Sequence, residues 1–200
     1  MANIRGGGEF GPKWHQAALK QNRPRAYEDF EAIADDLIDV NITTKNQLGC
    51  IGKSNGGLLV GNMLVRPNSN NRFGAIVCEV PLLDMRRYHK LLAGASWMSE
   101  YGDPDNPKEW KWIKKFSPFH MIKRGATYPK VLITTSTKDD RVHPAHARKM
   151  VAKLQDYADK ETAKNVWYYE NMEGGHGGAA DNKQQAFMKT LEYQFLWDNL

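Results

Sequence analysis

The chain has 200 residues, of which 41% are hydrophobic and 26% are charged, a balance typical of a globular domain. This composition excludes a disordered chain, and no apolar run approaches the roughly 20 residues of a membrane-spanning helix. The formal net charge is +5, but the basic residues are scattered, and their densest stretch, 108–124, is interleaved with aromatic side chains. We therefore predict a solvated basic surface, with no nucleic-acid partner and no membrane partner.

Cysteine and histidine usage predicts neither a disulfide framework nor a metal site. Cys50 and Cys78 are too few for a four-cysteine zinc site, and each lies in an apolar run. We expect buried free thiols in a reducing compartment, and hence a cytoplasmic protein. His143 and His146 are spaced i, i+3 with no evident third ligand, so we predict a helix start there, and no metal or other cofactor.

Short runs rich in β-branched residues alternate with helical apolar stripes along the chain. The predicted strands cover residues 47–51, 75–80, 131–135 and 166–169. The helical stripes before, between and after them begin at Tyr27, Leu58, Ala147 and Phe187. This alternation predicts an α/β fold, with a mostly parallel sheet flanked by helices on both faces. A further strand remnant is predicted at residues 2–5.

The longest stretch without a predicted strand runs from Leu82 to Tyr128 and contains several tryptophans and turn signals. In an α/β fold such an excursion lies outside the sheet, usually over the carboxyl ends of the strands, where ligands bind. We expect this segment to contribute to a binding site. The alternative is a packed surface insertion without a ligand.

The strongest local motif is Gly-Lys-Ser-Asn-Gly at residues 52–56, between a predicted strand and a predicted helix. G-x-S-x-G in this context predicts a nucleophile elbow, a tight turn that lifts the serine hydroxyl clear of the sheet. Gly52 and Gly56 are expected to let strand and helix approach closely, and the Asn55 N–H to point toward a developing oxyanion. The stem of Lys53 is expected to point to solvent. The alternative is a glycine-rich turn with an incidental serine.

A serine nucleophile needs a general base, and the base needs an orienting carboxylate. The loop after the third predicted strand contains Asp139 and Asp140, and the loop after the fourth contains His176 among four glycines. The chain order serine, acid, histidine is that of α/β-hydrolases. We therefore predict Ser54 as nucleophile and His176 as base, with one of the two carboxylates as the orienting group.

Segments 2–11, 54–57, 139–142 and 175–177 resemble the catalytic domain of the prolyl oligopeptidase family of serine peptidases, and the resemblance extends over essentially the whole chain. It implies an α/β-hydrolase fold, with Asp139 rather than Asp140 as the orienting carboxylate. It also implies a proline-binding pocket, in which an aromatic platform stacks on the ring at little entropic cost. The implied pocket residues are Trp97 as the platform, Arg141 as a donor to a substrate carbonyl, and Tyr101, Leu82, Val142 and Asn55 as lining.

Two features that the resemblance implies have no counterpart here. Family members carry a β-propeller before the hydrolase domain, and nothing in residues 1–200 resembles it. They also complete the oxyanion hole with a tyrosine hydroxyl from upstream of the first matched segment. Residues 1–46 contain one clear helical pattern where this fold normally has about four strands. We therefore expect residues 1–200 to form a single, partial catalytic domain, truncated at its N-terminus.

Three functions are compatible with these residues. The first is a serine hydrolase that cleaves short peptides, preferentially after proline, or small esters through an acyl-enzyme on Ser54. The second is a hydrolase fragment with weak esterase activity or none, which self-associates through an exposed sheet edge. The third is a binding module that uses the Trp97 pocket without catalysis. We predict the first, and a homo-oligomer because an open hydrophobic edge favours pairing.

Overall fold

A computed structural model describes residues 1–200, and a four-stranded parallel sheet forms its centre. The strands are β1 (Gly49–Lys53), β2 (Ala75–Glu79), β3 (Lys130–Ser136) and β4 (Val166–Asn171). They pair in chain order, each parallel to the one before it. The predicted α/β fold is confirmed, and the strand boundaries differ from the predicted ones by no more than about two residues.

Helices cover both faces of this sheet. They are α1 (Pro12–Gln16), α2 (Pro24–Asp39), α3 (Asn55–Val65), α4 (Met98–Tyr101), α5 (Pro107–Ile113), α6 (Pro118–Met121), α7 (Ala145–Tyr157), α8 (Lys160–Lys164) and α9 (Asn182–Asn199). Helix α3 packs on β1 and β2, α7 on β3 and β4, and α9 on β2 and β3. None of them combines the length and the apolar character that a bilayer crossing requires.

Alternation of side chains along the strands divides the core into two layers. Ile76 and Ile133 belong to a large cluster that includes residues of α2, α3 and α7. Val77 and Leu132 point to the opposite face, where they pack with Phe195 of α9. Every residue of β2 is buried, as expected for a central parallel strand covered on both sides.

The two cysteines lie on neighbouring strands of this core. Cys50 and Cys78 are both buried and unpaired, as predicted. Burial raises the pKa of both thiols well above the ordinary value. They are therefore packing residues that remain protonated rather than reactive thiolates.

The segment between β2 and β3 lies outside the sheet, as predicted. It folds into α4, α5 and α6, preceded by 3-10 turns that include Leu92–Trp97. Its basic side chains, such as Lys111 and Lys115, are exposed, whereas Ile113 and Phe116 are fully buried. The basic stretch therefore has the solvated outer face that its aromatic interleaving predicts.

The strand remnant predicted at residues 2–5 is wrong, because this segment pairs with no strand. The chain turns at Gly6, whose φ of +97° suits glycine. Arg5 is held by an ion pair with Asp29 of α2, with Nη2 and Oδ1 2.5 Å apart. The segment is thus anchored to a helix instead of the sheet.

The buried face of α9 agrees with the predicted stripe at three of its four residues: Phe195 is buried, and Leu191 and Leu196 pack against its cluster. Phe187 is 52% exposed, whereas Met188 and Glu192 are buried. Glu192 is buried beside Lys189, whose Nζ lies 2.6 Å from Glu192 Oε2 and 3.1 Å from Oε1 of Glu79 on β2. Because this ammonium bridges two buried carboxylates, a polar position faces the sheet.

Candidate active site

Ser54 forms the turn between β1 and α3. Its φ of +58° and ψ of −113° define a conformation that non-glycine residues rarely adopt. Two backbone hydrogen bonds hold it: Ser54 N–H donates to the Glu79 carbonyl at 2.9 Å, and Leu58 N–H donates to the Ser54 carbonyl at 3.1 Å. The serine therefore sits just past the carboxyl end of β1, in the strand–turn–helix geometry of a nucleophile elbow.

Gly52 and Gly57 permit the close approach of strand and helix at this turn. A Cβ at Gly52 would lie 2.1 Å from the carbonyl oxygen of Gly56, and a Cβ at Gly57 would lie 2.7 Å from Cβ of Pro81. Gly56, predicted for the same role, has space for a side chain, since a Cβ there would meet nothing within 4 Å. The prediction is confirmed for Gly52 and wrong for Gly56.

His176 lies between Ser54 and Asp139. Its Nε2 is 3.0 Å from Ser54 Oγ, and its Nδ1 is 2.9 Å from Oδ2 and 3.1 Å from Oδ1 of Asp139. The carboxylate accepts only, so Nδ1 carries the proton and Nε2 presents its lone pair to the serine hydroxyl. The three side chains form a continuous hydrogen-bonded series, although they come from three different loops.

Asp139 is the carboxylate that the geometry selects. Its side chain is fully buried, whereas Asp140 is exposed. Its Oδ1 also accepts the backbone N–H groups of Arg141 and Val142, each at 2.9 Å. A buried negative charge needs such donors, and the two amides fix the carboxylate in the plane from which it can orient His176.

Asn55 is the first residue of α3. Its backbone N–H therefore has no acceptor within the helix, and the helix dipole adds partial positive charge there. Its side-chain Oδ1 accepts from the Tyr101 hydroxyl at 2.8 Å and from Arg23 Nη2 at 2.5 Å. The residue next to Ser54 thus has an unused amide donor and a side chain held by two partners.

Arg23 is a buried cation behind this turn, with a side chain only 6% exposed. It donates to Glu100 at 2.7 Å and to the Tyr27 hydroxyl at 3.3 Å, and its guanidinium lies 5.1 Å from the Tyr101 ring centroid. Burial opposes its charge, but the surrounding phenols and Glu100 outweigh burial and raise the pKa of Arg23. Burial also raises the pKa of Tyr101, so its hydroxyl keeps the proton that it donates to Asn55.

The segment that carries Trp97 and Tyr101 is connected to the loops of both Ser54 and Asp139. Tyr101 reaches the nucleophile turn through Asn55, and Ala93 N–H donates to the Arg141 carbonyl at 3.3 Å. Trp97 is partly buried and packs against the main core cluster. The excursion between β2 and β3 is therefore fixed beside the site, as the sequence predicts.

The remaining predicted pocket residues have different environments. Leu82 and Val142 are each 2% exposed and belong to the main core cluster. The side chain of Arg141 is exposed, and it makes no hydrogen bond or ion pair with the rest of the chain. A ligand can therefore reach Arg141 directly, whereas Leu82 and Val142 define the packing behind it.

The sequence predicts that the stem of Lys53 points to solvent, but the side chain also makes a hydrogen bond to a neighbouring loop. Its side chain is exposed, but Nζ donates to the carbonyl of Gly177 at 2.6 Å. Gly177 immediately follows His176, so this bond connects the residue before the serine with the residue after the histidine.

The two histidines at i, i+3 spacing each bond to backbone amides through Nδ1. His146 Nδ1 accepts the backbone N–H groups of Leu83 and Asp84 at 3.2 and 3.0 Å, and His143 Nδ1 accepts that of Ala145 at 3.0 Å. Burial lowers the pKa of His146 to about 4, so its ring is neutral near pH 7. Both rings therefore organise backbone through Nδ1.

His89, Asp103 and Asp105 bring ligand atoms within 4.8 Å of one another. The Lys90 ammonium lies 2.8 Å from Asp105 Oδ2, and His89 Nε2 lies 3.0 Å from the same oxygen. These contacts lower the pKa of Asp105 to about 2. The cluster is thus organised around an ion pair with lysine.

Known proteins resemble this chain in both sequence and fold. The sequence profile described as "Prolyl oligopeptidase family" matches residues 1–200. The chain belongs to the prolyl oligopeptidase family. An uncharacterized peptidase of Sinorhizobium fredii is 50% identical over 201 residues, and a prolyl endopeptidase of Elizabethkingia miricola is 41% identical over 187 residues.

The structural comparison agrees with this assignment. A post-proline cleaving enzyme from Rickettsia typhi superposes with a TM-score of 0.90 and 42% sequence identity over 97% of the chain. The chain covers 27% of that structure, 27% of the Sinorhizobium relative and 26% of the Elizabethkingia enzyme. It thus spans about a quarter of the length of these members of the prolyl oligopeptidase family.

Sequence reasoning missed two residues beside the site, Arg23 and Glu100, and the bond from the exposed Lys53 to Gly177. Arg23 precedes a helix-starting proline and has no motif around it, so its bonds to residues 55 and 100 have no local signal. For Lys53 the signal is positional: a long cation next to the serine of G-x-S-x-G lies within reach of neighbouring loops.

Proposed function

We propose that this member of the prolyl oligopeptidase family is a serine hydrolase that cleaves short peptides after proline, or small esters. The observation that carries the proposal is the continuous series of hydrogen bonds from Ser54 Oγ through His176 to Asp139, with steps of 3.0 and 2.9 Å. That series supplies a nucleophile, a base and an orienting carboxylate in the order that acyl transfer requires.

The proposed reaction has two halves that share the same residues. Ser54 Oγ attacks the substrate carbonyl carbon while His176 Nε2 takes the hydroxyl proton, and the carbonyl oxygen becomes an oxyanion near the Asn55 N–H. His176 then gives this proton to the leaving amine or alcohol as the scissile bond breaks, which leaves an acyl-enzyme. Water, deprotonated by His176, attacks the acyl carbon; the bond to Ser54 Oγ then breaks, and His176 returns the proton to Oγ, which releases the acid and free Ser54.

The preference for proline is the finer part of the proposal. Two of the relatives described above are named a prolyl endopeptidase and a post-proline cleaving enzyme. Trp97 would stack on the proline ring, with Tyr101, Leu82 and Val142 around it. Arg141 is exposed and unpaired, and it would donate to a carbonyl of the preceding residue.

The experiment compares three substrates: a blocked peptide anilide of proline, the same anilide of alanine, and a p-nitrophenyl ester without an amino-acid ring. The proposal predicts that the proline compound is hydrolysed faster than the alanine compound, and that Trp97→Ala removes the difference. Equal rates on proline and alanine would overturn the pocket assignment. Absence of turnover on all three by folded protein would overturn the hydrolase proposal.

A specific observation favours self-association as an additional property. Strand β1 pairs only with β2, so its outer edge offers free backbone groups. An apolar cavity of about 570 Å³ lies beside that edge and is lined by residues that include Phe30, Ile33 and Ile51. We propose that a second copy of the chain pairs at this edge, which gives the homo-oligomer expected from the sequence.

Light scattering after size-exclusion chromatography tests this pairing. The wild type is expected to elute as an oligomer, and Ile51→Lys, at a position 41% exposed, is expected to give a monomer. Met172→Lys is the matched control, because Met172 is 66% exposed and lies on the loop after β4, away from this edge. A monomeric wild type, or equal effects of the two substitutions, would argue against pairing through β1.

A further inference from the structure

Lys53 connects the two loops that carry the candidate nucleophile and base. It is the last residue of β1, directly before Ser54, and its Nζ donates to the Gly177 carbonyl at 2.6 Å. Gly177 follows His176 directly. The contact spans 124 residues of sequence but only the width of the candidate site.

The histidine loop has few other backbone contacts: the His176 ring is held by Asp139, and beyond the loop Ala180 N–H donates to Gln184 Oε1 at 2.9 Å. Four of the five residues in 174–178 are glycines, and glycine loses more backbone freedom on ordering than any other residue. Before His176, the loop is held by Asn171 Oδ1, which accepts the N–H groups of Glu173 and Gly174 at 2.9 and 2.8 Å. A local bond from Gly178 N–H to the Gly175 carbonyl, 2.9 Å, closes the turn.

Asn171 holds the backbone of this loop before His176, and Lys53 holds it after His176. Apart from the His176–Ser54 bond itself, the bond from Lys53 is the hydrogen bond that joins residues 176–180 to the nucleophile turn. A charged donor to a carbonyl is stronger than a neutral one. Because Lys53 lies on a strand of the sheet, its bond attaches a glycine-rich loop to a rigid element.

We propose that Lys53 is a positioning residue that keeps His176 Nε2 within hydrogen-bonding distance of Ser54 Oγ. The proposal rests on the hydrolase function proposed above, since the distance matters for catalysis only if Ser54 attacks a substrate. Lys53 acts through the backbone of Gly177 and does not take part in proton transfer. Loss of its ammonium lets the loop sample conformations in which the Ser–His bond is broken, so fewer molecules are competent at any moment.

The chain offers a matched set of variants for the test. Lys53→Met keeps the length of the side chain and removes the donor, and Lys53→Arg restores a cationic donor. Lys138→Met is the control, because Lys138 is also exposed and lies beside Asp139, but its ammonium makes no hydrogen bond or ion pair. The two methionine variants therefore remove the same charge from the same neighbourhood, and only one removes the bond to Gly177.

Two measurements are made on each variant. The first is the saturation kinetics of covalent labelling by a fluorophosphonate, which separates the maximal labelling rate from the half-saturating concentration. The second is millisecond hydrogen exchange of the peptide that contains residues 174–178, which reports loop order without reference to activity.

The proposal predicts a clear division among the variants. Lys53→Met lowers the maximal labelling rate about fivefold with little change in half-saturation, and it accelerates exchange in 174–178. Lys53→Arg recovers most of the rate, and Lys138→Met matches the wild type.

Wild-type exchange and labelling in Lys53→Met, or equal losses in Lys53→Met and Lys138→Met, would overturn the positioning role. If the wild type itself is not labelled, the hydrolase proposal fails. The exchange measurement then still decides whether Lys53 orders the loop.

Discussion

The buried ring of His146 makes a quantitative prediction about acid stability. Its Nδ1 accepts two backbone N–H groups, from Leu83 and Asp84, at the point where the chain leaves β2. The side chain is almost fully buried, and burial lowers the pKa of His146 from 6.5 to about 4. Protonation of His146 in the folded state would bury a positive charge. It would also place a proton on Nδ1, which accepts the two backbone N–H groups.

Because the pKa of His146 is lower in the folded state than in the unfolded state, acid destabilises the fold. Between pH 6.5 and 4 the unfolded chain binds a proton at His146 and the folded chain does not, so stability falls as the pH falls. At 1.36 kcal/mol per pH unit, this one group lowers the free energy of unfolding by about 3 kcal/mol between pH 7 and pH 4. Its contribution is fully present above about pH 6.5 and is lost as the pH falls through the folded-state pKa.

The assay is urea unfolding at a series of pH values for the wild type and His146→Asn. Asparagine places an acceptor near the position of Nδ1 but does not titrate, so the carboxylates contribute equally to both proteins. The free energy of unfolding of the wild type should fall by about 3 kcal/mol more than that of His146→Asn between pH 7 and pH 4. His15→Asn, at an exposed position, controls for the loss of a histidine as such. Parallel curves for the wild type and His146→Asn would refute this reasoning.

Three further predictions concern the site and its support. Asp139→Asn replaces an acceptor of the His176 Nδ1–H with an amide, and kcat for ester hydrolysis should fall about 10⁴-fold while circular dichroism is unchanged. Arg23→Met leaves Glu100 without its buried partner and should lower the free energy of unfolding in urea by about 2–4 kcal/mol. Adding Glu100→Gln to this variant should recover about 1 kcal/mol. Strictly additive effects of the two substitutions would contradict the pairing. Gly52→Ala should prevent folding because its Cβ would lie 2.1 Å from a carbonyl oxygen. Gly56→Ala has no such contact and should change the free energy of unfolding in urea by no more than about 1 kcal/mol. Similar stabilities for these two variants would contradict the packing of the turn.

The sequence predicts that Ser54, Asp139 and His176 meet, because their signals are local and the topology brings them together. Ser54, Asp139 and His176 each follow a predicted strand, and the carboxyl ends of parallel strands lie at one edge of a sheet. The choice between Asp139 and Asp140 is different. It depends on which carboxylate the backbone turns inward, and residue type alone does not encode that choice.

Contacts between distant residues account for most of what the sequence does not reveal. The bond from Arg23 to Glu100 spans 77 residues, and the bond from Lys53 to Gly177 spans 124. Neither pair has a periodicity or motif that points to the other partner. The face of α9 is a related case, because burial of Glu192 depends on a lysine bridge to another element.

The central claim is that Ser54 is a nucleophile activated by His176, and covalent labelling tests it most directly. Folded wild-type protein is treated with a fluorophosphonate, and the adduct is measured by intact mass and located by peptide mapping. We predict one adduct per chain on the peptide that contains Ser54, none in Ser54→Ala, and much slower labelling in His176→Ala. No adduct on folded wild-type protein, or an adduct that persists in Ser54→Ala, would contradict the claim.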